Sequence, residues 1–180
     1  MTKKTLVIID HPSFSESKIH RKFVDELRKH PDEITIHTLQ SAYPSGMIDV
    51  PKEHSLLSNH GAVVLEFPMY WFNSPAKMIE WLDKVLTSDW AFKGKYSLEN
   101  KKVALCISCG SEEASYTPDG RNHRKAEDYL ANYLRAFEMC HMNYAGLFAL
   151  YGVNDAETVD AEAISQSAKD YVEFIRKLSE

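Results

Sequence analysis

The sequence predicts a three-layer α/β domain: a five-stranded parallel sheet in the order 2-1-3-4-5, with helices on both faces. Two observations predict it. Short apolar, β-branched runs recur along the chain, and between them lie stretches with an apolar residue at every third or fourth position. Strands apolar at consecutive positions are buried on both faces, and their alternation with helices is the mark of a parallel sheet covered on both sides. The 180 residues fit a single domain over 1–180, against a usual size of about 150.

The first run, Leu6-Val7-Ile8-Ile9, ends at Asp10-His11-Pro12. Ile19, Phe23 and Leu27 recur every four residues, so a helix is expected from Lys18 to His30 with Ser17 as its N-cap. Ile34 to Thr38 forms the second strand. Ser41 to Asp49 is rich in turn residues, and a short helix follows over 52–58. Ala62 to Phe67 is the third strand, stopped by Pro68. An aromatic loop then leads into a helix from Pro75 to Leu86, proline being suited to a first turn. Lys102 to Ile107 is the fourth strand, and a long polar loop runs from Ser108 to Asn122. Tyr129, Leu130, Tyr133, Leu134 and Phe137 mark a helix ending at Met139. The fifth strand falls within Met142 to Leu150, and Ile164, Ala168, Tyr171, Val172, Ile175 and Leu178 line one face of the last helix. Right-handed crossovers leave few topologies for five such units, and the flavodoxin-like order 2-1-3-4-5 leads them. Ligands of such sheets lie beyond the carboxyl ends of the strands, where the order reverses. The loops after strands one, three and four therefore carry the function.

Composition narrows the classes. With 44% hydrophobic and 26% charged residues the chain is globular rather than disordered. Its 21 Lys+Arg against 26 Asp+Glu, net −5, argue against a nucleic-acid surface. Cys106, Cys109 and Cys140 make no disulfide framework and read as reduced thiols of a cytoplasmic protein. Cys106-x-x-Cys109 has no second half to complete a zinc site, so no metal is expected. The start, Met1-Thr2-Lys3-Lys4, is too close to Pro12 to precede a signal sequence, and no apolar stretch reaches the roughly 18 residues of a membrane span.

Three loops remain. His11 to Lys18 offers hydroxyls, a lysine and a helix N-terminus, the donors a phosphate needs, without the glycines of a P-loop or a dinucleotide fingerprint. Pro68-Met69-Tyr70-Trp71-Phe72-Asn73-Ser74-Pro75 places consecutive aromatics in a loop, and at least one must be exposed, to stack on a planar ligand or meet a protein. Ser108-Cys109-Gly110-Ser111 is small enough for a ring system to approach, with the phenol of Tyr116 beyond it and then Asn122 and His123.

On these residues the sequence resembles the flavodoxin-fold NAD(P)H:quinone oxidoreductases, the DT-diaphorase group with its short bacterial members tied to glutathione-gated potassium efflux. His11-Pro12 followed by Ser17 is similar to the family's flavin phosphate loop. Phe67 to Ala76, then Trp81-Leu82-Asp83-Lys84-Val85-Leu86 and Ala91-Phe92, resembles its most specific signature. Its Thr-Thr-Gly-Gly loop falls on Ser108 to Ser111, and its tyrosine on Tyr116. There are departures. His20 stands where the family has Asn, Ser111 replaces a Gly, and the active-site histidine falls between Asn122 and His123.

The resemblance implies a cytoplasmic homodimer that binds FMN or FAD (FMN the better fit, since the C-terminal extension that helps hold FAD in longer relatives is lacking), uses NAD(P)H as co-substrate and reduces quinones or other small electrophiles. It implies cofactor contacts at His11, Ser17, Lys18, His20, Pro68, Met69, Tyr70, Trp71, Phe72, Ser108, Cys109, Gly110, Ser111 and Tyr116, with Tyr116 and His123 as the catalytic pair. It also implies an alternative: an ancillary flavin subunit docked on a potassium-efflux transporter. A response-regulator receiver would need an Asp where Phe67-Pro68 stands. A Cys-dependent phosphatase would not follow Cys109 with Glu112 and Glu113. A plain electron-carrier flavodoxin would be more acidic around its flavin than loops carrying Lys18 and Arg121.

Overall fold

The computed structural model describes residues 3–153 and 159–179; Met1 and Thr2 of the lysine-containing start lie outside them. Parallel strands β1 (Thr5–Ile9), β2 (Ile34–Thr38), β3 (Ala62–Pro68), β4 (Lys102–Ser108) and β5 (Asn143–Leu150) form one sheet in the order β2-β1-β3-β4-β5. β1 and β3 are buried along their whole length, as strands flanked by helices on both faces must be.

Successive residues of each strand point to opposite faces, and two cores result. Leu6, Ile8, Leu65, Phe67, Leu105 and Ile107 face one layer, where α2 (Leu39–Ala42), α3 (Val50–Asn59), α4 (Ala76–Val85) and α6 (Ala131–Met139) bring Leu39, Leu57, Trp81, Tyr133 and Phe137. Val7, Ile9, Val64, Ala104 and Cys106 face the other, against Phe23 and Leu27 of α1 (Lys18–Leu27) and Tyr171, Val172 and Ile175 of α7 (Ala161–Leu178).

Local chemistry sets the element ends. Ser17 Oγ accepts from His20 N at 3.1 Å and opens α1, as its N-cap position required. Asp49 does the same for α3, with Pro51 in the first turn. Gly146, at φ 121°, sits where the β4–β5 register shifts between Val103 and Leu105, a bulge that L-residues resist.

Three expectations shift. The stretch from Ser41 begins inside a single helical turn, α2, because Leu39 is buried against the sheet and holds it there. The helix marked by Tyr129 to Phe137 is two: α5 (Ala126–Tyr129) and α6, broken at Leu130. The first helix stops at Leu27, where Arg28 and His30 close its last turn by backbone bonds to Val24 and Leu27.

Candidate active site

The loops after β1, β3 and β4 meet at the carboxyl end of the sheet around an open cavity of about 320 Å³, at the lower end of the roughly 300–1,000 Å³ of small-molecule sites. His11, Ser17, Lys18 and His20 line one side, Pro68, Met69 and Tyr70 the second, Ser108 and Gly110 the third. Glu16, Ile19 and Val153 also line it and escaped sequence reading. Trp71, Phe72, Cys109, Ser111, Tyr116 and His123 are not among its lining residues. A second cavity, of about 250 Å³, opens beside Lys3, Lys4, Glu33 and Arg176 at the amino end. Arg176 Nε there lies 2.8 Å from Glu33 Oε2, and α/β sheets bind ligands at the other end.

At the helix end, α1 aims its opening turn at the cavity, so orphan N–H groups and the positive dipole face any occupant. His11 is 7% exposed and its Nδ1 has no hydrogen-bond partner. Burial, then the neighbouring His20, pushes its pKa down to about 4, so the ring is neutral. An unpartnered buried nitrogen, a Ser-capped helix and a lysine suit a phosphate.

The segment after β3 is a tight two-residue turn. Tyr70 N donates to Asn73 O at 2.8 Å and Asn73 N to Tyr70 O at 3.0 Å, while Trp71 and Phe72 both have positive φ, 50° and 63°. That is the backbone of a type I′ turn, normally given to Asn-Gly. It leaves Trp71 93% exposed, while Phe72 stacks on Tyr129 at 4.4 Å.

Backbone donors divide sharply. Met69, Tyr70 and Cys109 spend their N–H groups on Ser108 O, Asn73 O and Leu150 O, at 2.9, 2.8 and 2.8 Å. Among the described residues those of Trp71, Phe72, Gly110 and Ser111 make no backbone hydrogen bond. Of the N–H groups in the stretches 69–72 and 109–111, these four are unspent.

Tyr116 is buried behind the wall, its O–H pointing to Met69 Sδ at 3.8 Å. Burial, then neighbouring Cys109, pushes its pKa up to about 12, so it is a neutral donor at physiological pH. Cys109 is likewise pushed up to about 12 by burial and is a core thiol. His123 is exposed and its ring makes no hydrogen bond to Tyr116 among the described residues. Asn122 instead turns inward: its N–H donates to Ser115 O at 2.9 Å, and its buried Nδ2 has no partner. Loop closure is set by Gly120, where a Cβ would stand 2.4 Å from Ala114 O.

With fold and cavity defined, the chain belongs to the Flavodoxin_2 family, whose description is a flavodoxin-like fold and which matches residues 3–175. It is 37% identical over 175 residues to general stress protein 14 of Bacillus subtilis (97% of this chain, 98% of the relative). It is 34% identical over 170 residues to the same organism's uncharacterized NAD(P)H oxidoreductase YrkL (94% and 97%). Among solved structures, general stress protein 14 of Treponema denticola in complex with FMN superposes with a TM-score of 0.91 at 35% identity, covering 97% of this chain and 99% of that one. The potassium-efflux ancillary protein KefG of Yersinia pestis is more distant, 29% identical over 174 residues (96% and 93%).

Proposed function

We propose that this protein is a flavin-dependent NAD(P)H:quinone oxidoreductase, one flavodoxin-like domain over 1–180 that holds FMN across the carboxyl ends of β1, β3 and β4. One observation carries this reading: the cavity joins a Ser-capped helix N-terminus, Lys18 and the unpartnered His11 Nδ1 at one end to the Pro68–Tyr70 segment at the other. The FMN complex of the 35% identical T. denticola protein supports it, as does the NAD(P)H oxidoreductase name of YrkL.

Bound there, the flavin would take a hydride from NAD(P)H and pass it to a quinone or similar electrophile. The chain's own residues do the rest. Ser17, Lys18 and the first turn of α1 hold the phosphate, and His11 Nδ1 gains a partner. Pro68 to Tyr70 form a wall for the ring, while the unspent N–H groups of Trp71, Phe72, Gly110 and Ser111 serve its polar edge. Tyr116, kept protonated by burial, is the donor for charge that reduction leaves behind. Nicotinamide and quinone use the cavity in turn, which gives ping-pong kinetics.

Trp71, exposed beside Tyr70 and Phe72, is a large apolar surface for a lone chain, and we assign it to a homodimer contact. Among the described residues no helix is long and apolar enough to cross a membrane, which is compatible with a cytoplasmic enzyme. The likeness to KefG favours a second, compatible role as an ancillary subunit on a potassium-efflux transporter; co-purification with that transporter tests it.

The decisive experiment is the visible spectrum of the purified protein, with the released flavin identified by chromatography. FMN bands are expected. A colourless protein that neither FMN nor FAD reconstitutes would sink the assignment.

A further inference from the structure

Glu66 lies between Leu65 and Phe67 in β3 with no exposure at all. A carboxylate in that position must be met by partners. Its Oε1 is 2.8 Å from His20 Nδ1, and its Oε2 has no partner. His20 is 1% exposed, and its Nε2 lies 2.9 Å from Ser108 Oγ. Ser108 lines the cavity. Three groups thus run as one hydrogen-bonded chain from the sheet interior to the cavity wall.

Every element around His20 contributes a neighbour. His11, from the loop after β1, meets it edge-on at 4.9 Å. Phe23 of its own helix packs at 5.9 Å. Cys106 of β4 and Tyr171 of α7 stand beside the Glu66 carboxyl. Lys18 of α1 lies at the cavity rim.

With Glu66 as a carboxylate, which only accepts, His20 Nδ1 carries the hydrogen between them. The other nitrogen then decides what Ser108 presents. With Nε2 bare, Ser108 donates its O–H to the ring and shows the cavity lone pairs. With Nε2 protonated, the ring donates to Ser108, whose O–H is released to the cavity. The first state leaves a lone negative charge in a low-dielectric interior; the second is a neutral ion pair. His11 cannot take this part, because burial and His20 hold it neutral.

We propose that Glu66, His20 and Ser108 form a proton-accepting counter-charge for the cavity: when negative charge arrives, His20 takes a proton from solvent at Nε2 and Ser108 turns its O–H toward that charge. This rests on the flavin reading of the cavity. A hydride from NAD(P)H carries two electrons and one proton, so the bound ring system gains one negative charge, and one proton on His20 balances it. A quinone needs one proton besides the hydride to become a hydroquinone, and the proton held on His20 is given up at that step. Glu66 and His20 are positioning residues; Ser108 faces the occupant.

The test uses FMN-loaded parent, His20→Asn and Ser108→Ala proteins. Proton uptake per two electrons is measured in weak buffer, and the His20 ring ¹⁵N resonances are followed in both redox states. The parent should take up one proton more than His20→Asn, with the His20 ring passing from neutral to imidazolium on reduction. Ser108→Ala should bind reduced FMN about tenfold less tightly relative to oxidised FMN, the worth of one hydrogen bond to a charged group. Equal proton uptake in parent and His20→Asn overturns the proposal while leaving the flavin reading intact. Should His20→Asn not fold, the parent's resonances decide, and a ring neutral in both states overturns it. A parent that binds no FMN removes the flavin reading, visibly by its spectrum, and this proposal with it.

Discussion

The carboxylate of Asp10 at the end of β1 accepts a hydrogen bond from the backbone N–H of Met78 at 2.8 Å, capping a helix 68 positions away. α4 needs it, since its local N-cap, Pro75, has no side-chain acceptor. Gln40 Nε2 holds the other oxygen at 2.8 Å. Asp10 thus ties the first strand to the helix that follows the aromatic turn.

That tie has a pH signature. Burial raises the Asp10 pKa above its ordinary 3.8, against the lowering pull of Gln40, the Met78 N–H and Lys77. A raised acid keeps its proton longer in the folded chain than in the unfolded one. Its contribution to stability is therefore full below 3.8 and lost as pH rises through the folded value. Asp10→Asn keeps an acceptor for Met78 and removes the titration. Urea unfolding across mildly acidic pH should show a shallower decline in the variant; identical slopes would reject the assignment. Asp10→Ala removes the cap and should destabilise by about 0.5–2 kcal/mol.

Ser17 is expected to serve both helix and phosphate. Ser17→Glu places a negative charge and extra bulk at the mouth of α1, so FMN affinity should fall at least about tenfold, the loss of one charge-assisted hydrogen bond. Titration of flavin-free protein with FMN measures it, and unchanged affinity would count against the site.

Tyr116→Phe deletes the donor behind Met69 and should slow flavin reduction by NAD(P)H by roughly 10- to 100-fold, the lower range for positioned proton donors. Flavin content should not change. His123→Ala should have the smaller effect, since the ring is exposed, whereas Asn122 is directed inward. Stopped-flow traces matching the parent in Tyr116→Phe would leave backbone donors alone in the role.

Trp71→Ser should convert a dimer into a monomer at micromolar concentration without unfolding the chain, because the indole is 93% exposed. Sedimentation equilibrium reads this directly. A parent that is already monomeric would remove the dimer assignment.

Much of the fold was legible because the signals were local. Leu6 to Ile9 is a continuous apolar run followed closely by Pro12, Ala62 to Phe67 is apolar but for Glu66 and is ended by Pro68, and Ser17 announces a cap. What escaped depended on distant partners. Nothing near Leu39 marks a helical turn; burial under the sheet makes it. Glu66 was readable as strand but not as site, although a lone carboxylate inside a doubly buried strand is itself a demand for a partner. Glu53 is the contrasting case: His37 at 2.7 Å, Tyr43 and Trp81 Nε1 at 2.8 Å all meet its carboxylate. The resemblance implies a cofactor contact at His20, and its ring nitrogens meet Glu66 and Ser108.

The turn at Trp71 and Phe72 sets two goals against each other. Left-handed backbone at two successive bulky residues costs about 1–3 kcal/mol at each, and Asn-Gly would suit the same geometry without strain. Heat resistance alone would favour Asn-Gly at these two positions, so the aromatic pair is held at a cost in stability. Thermostabilising libraries built on this scaffold should therefore hold these two positions fixed and seek their gains on the opposite side of the sheet.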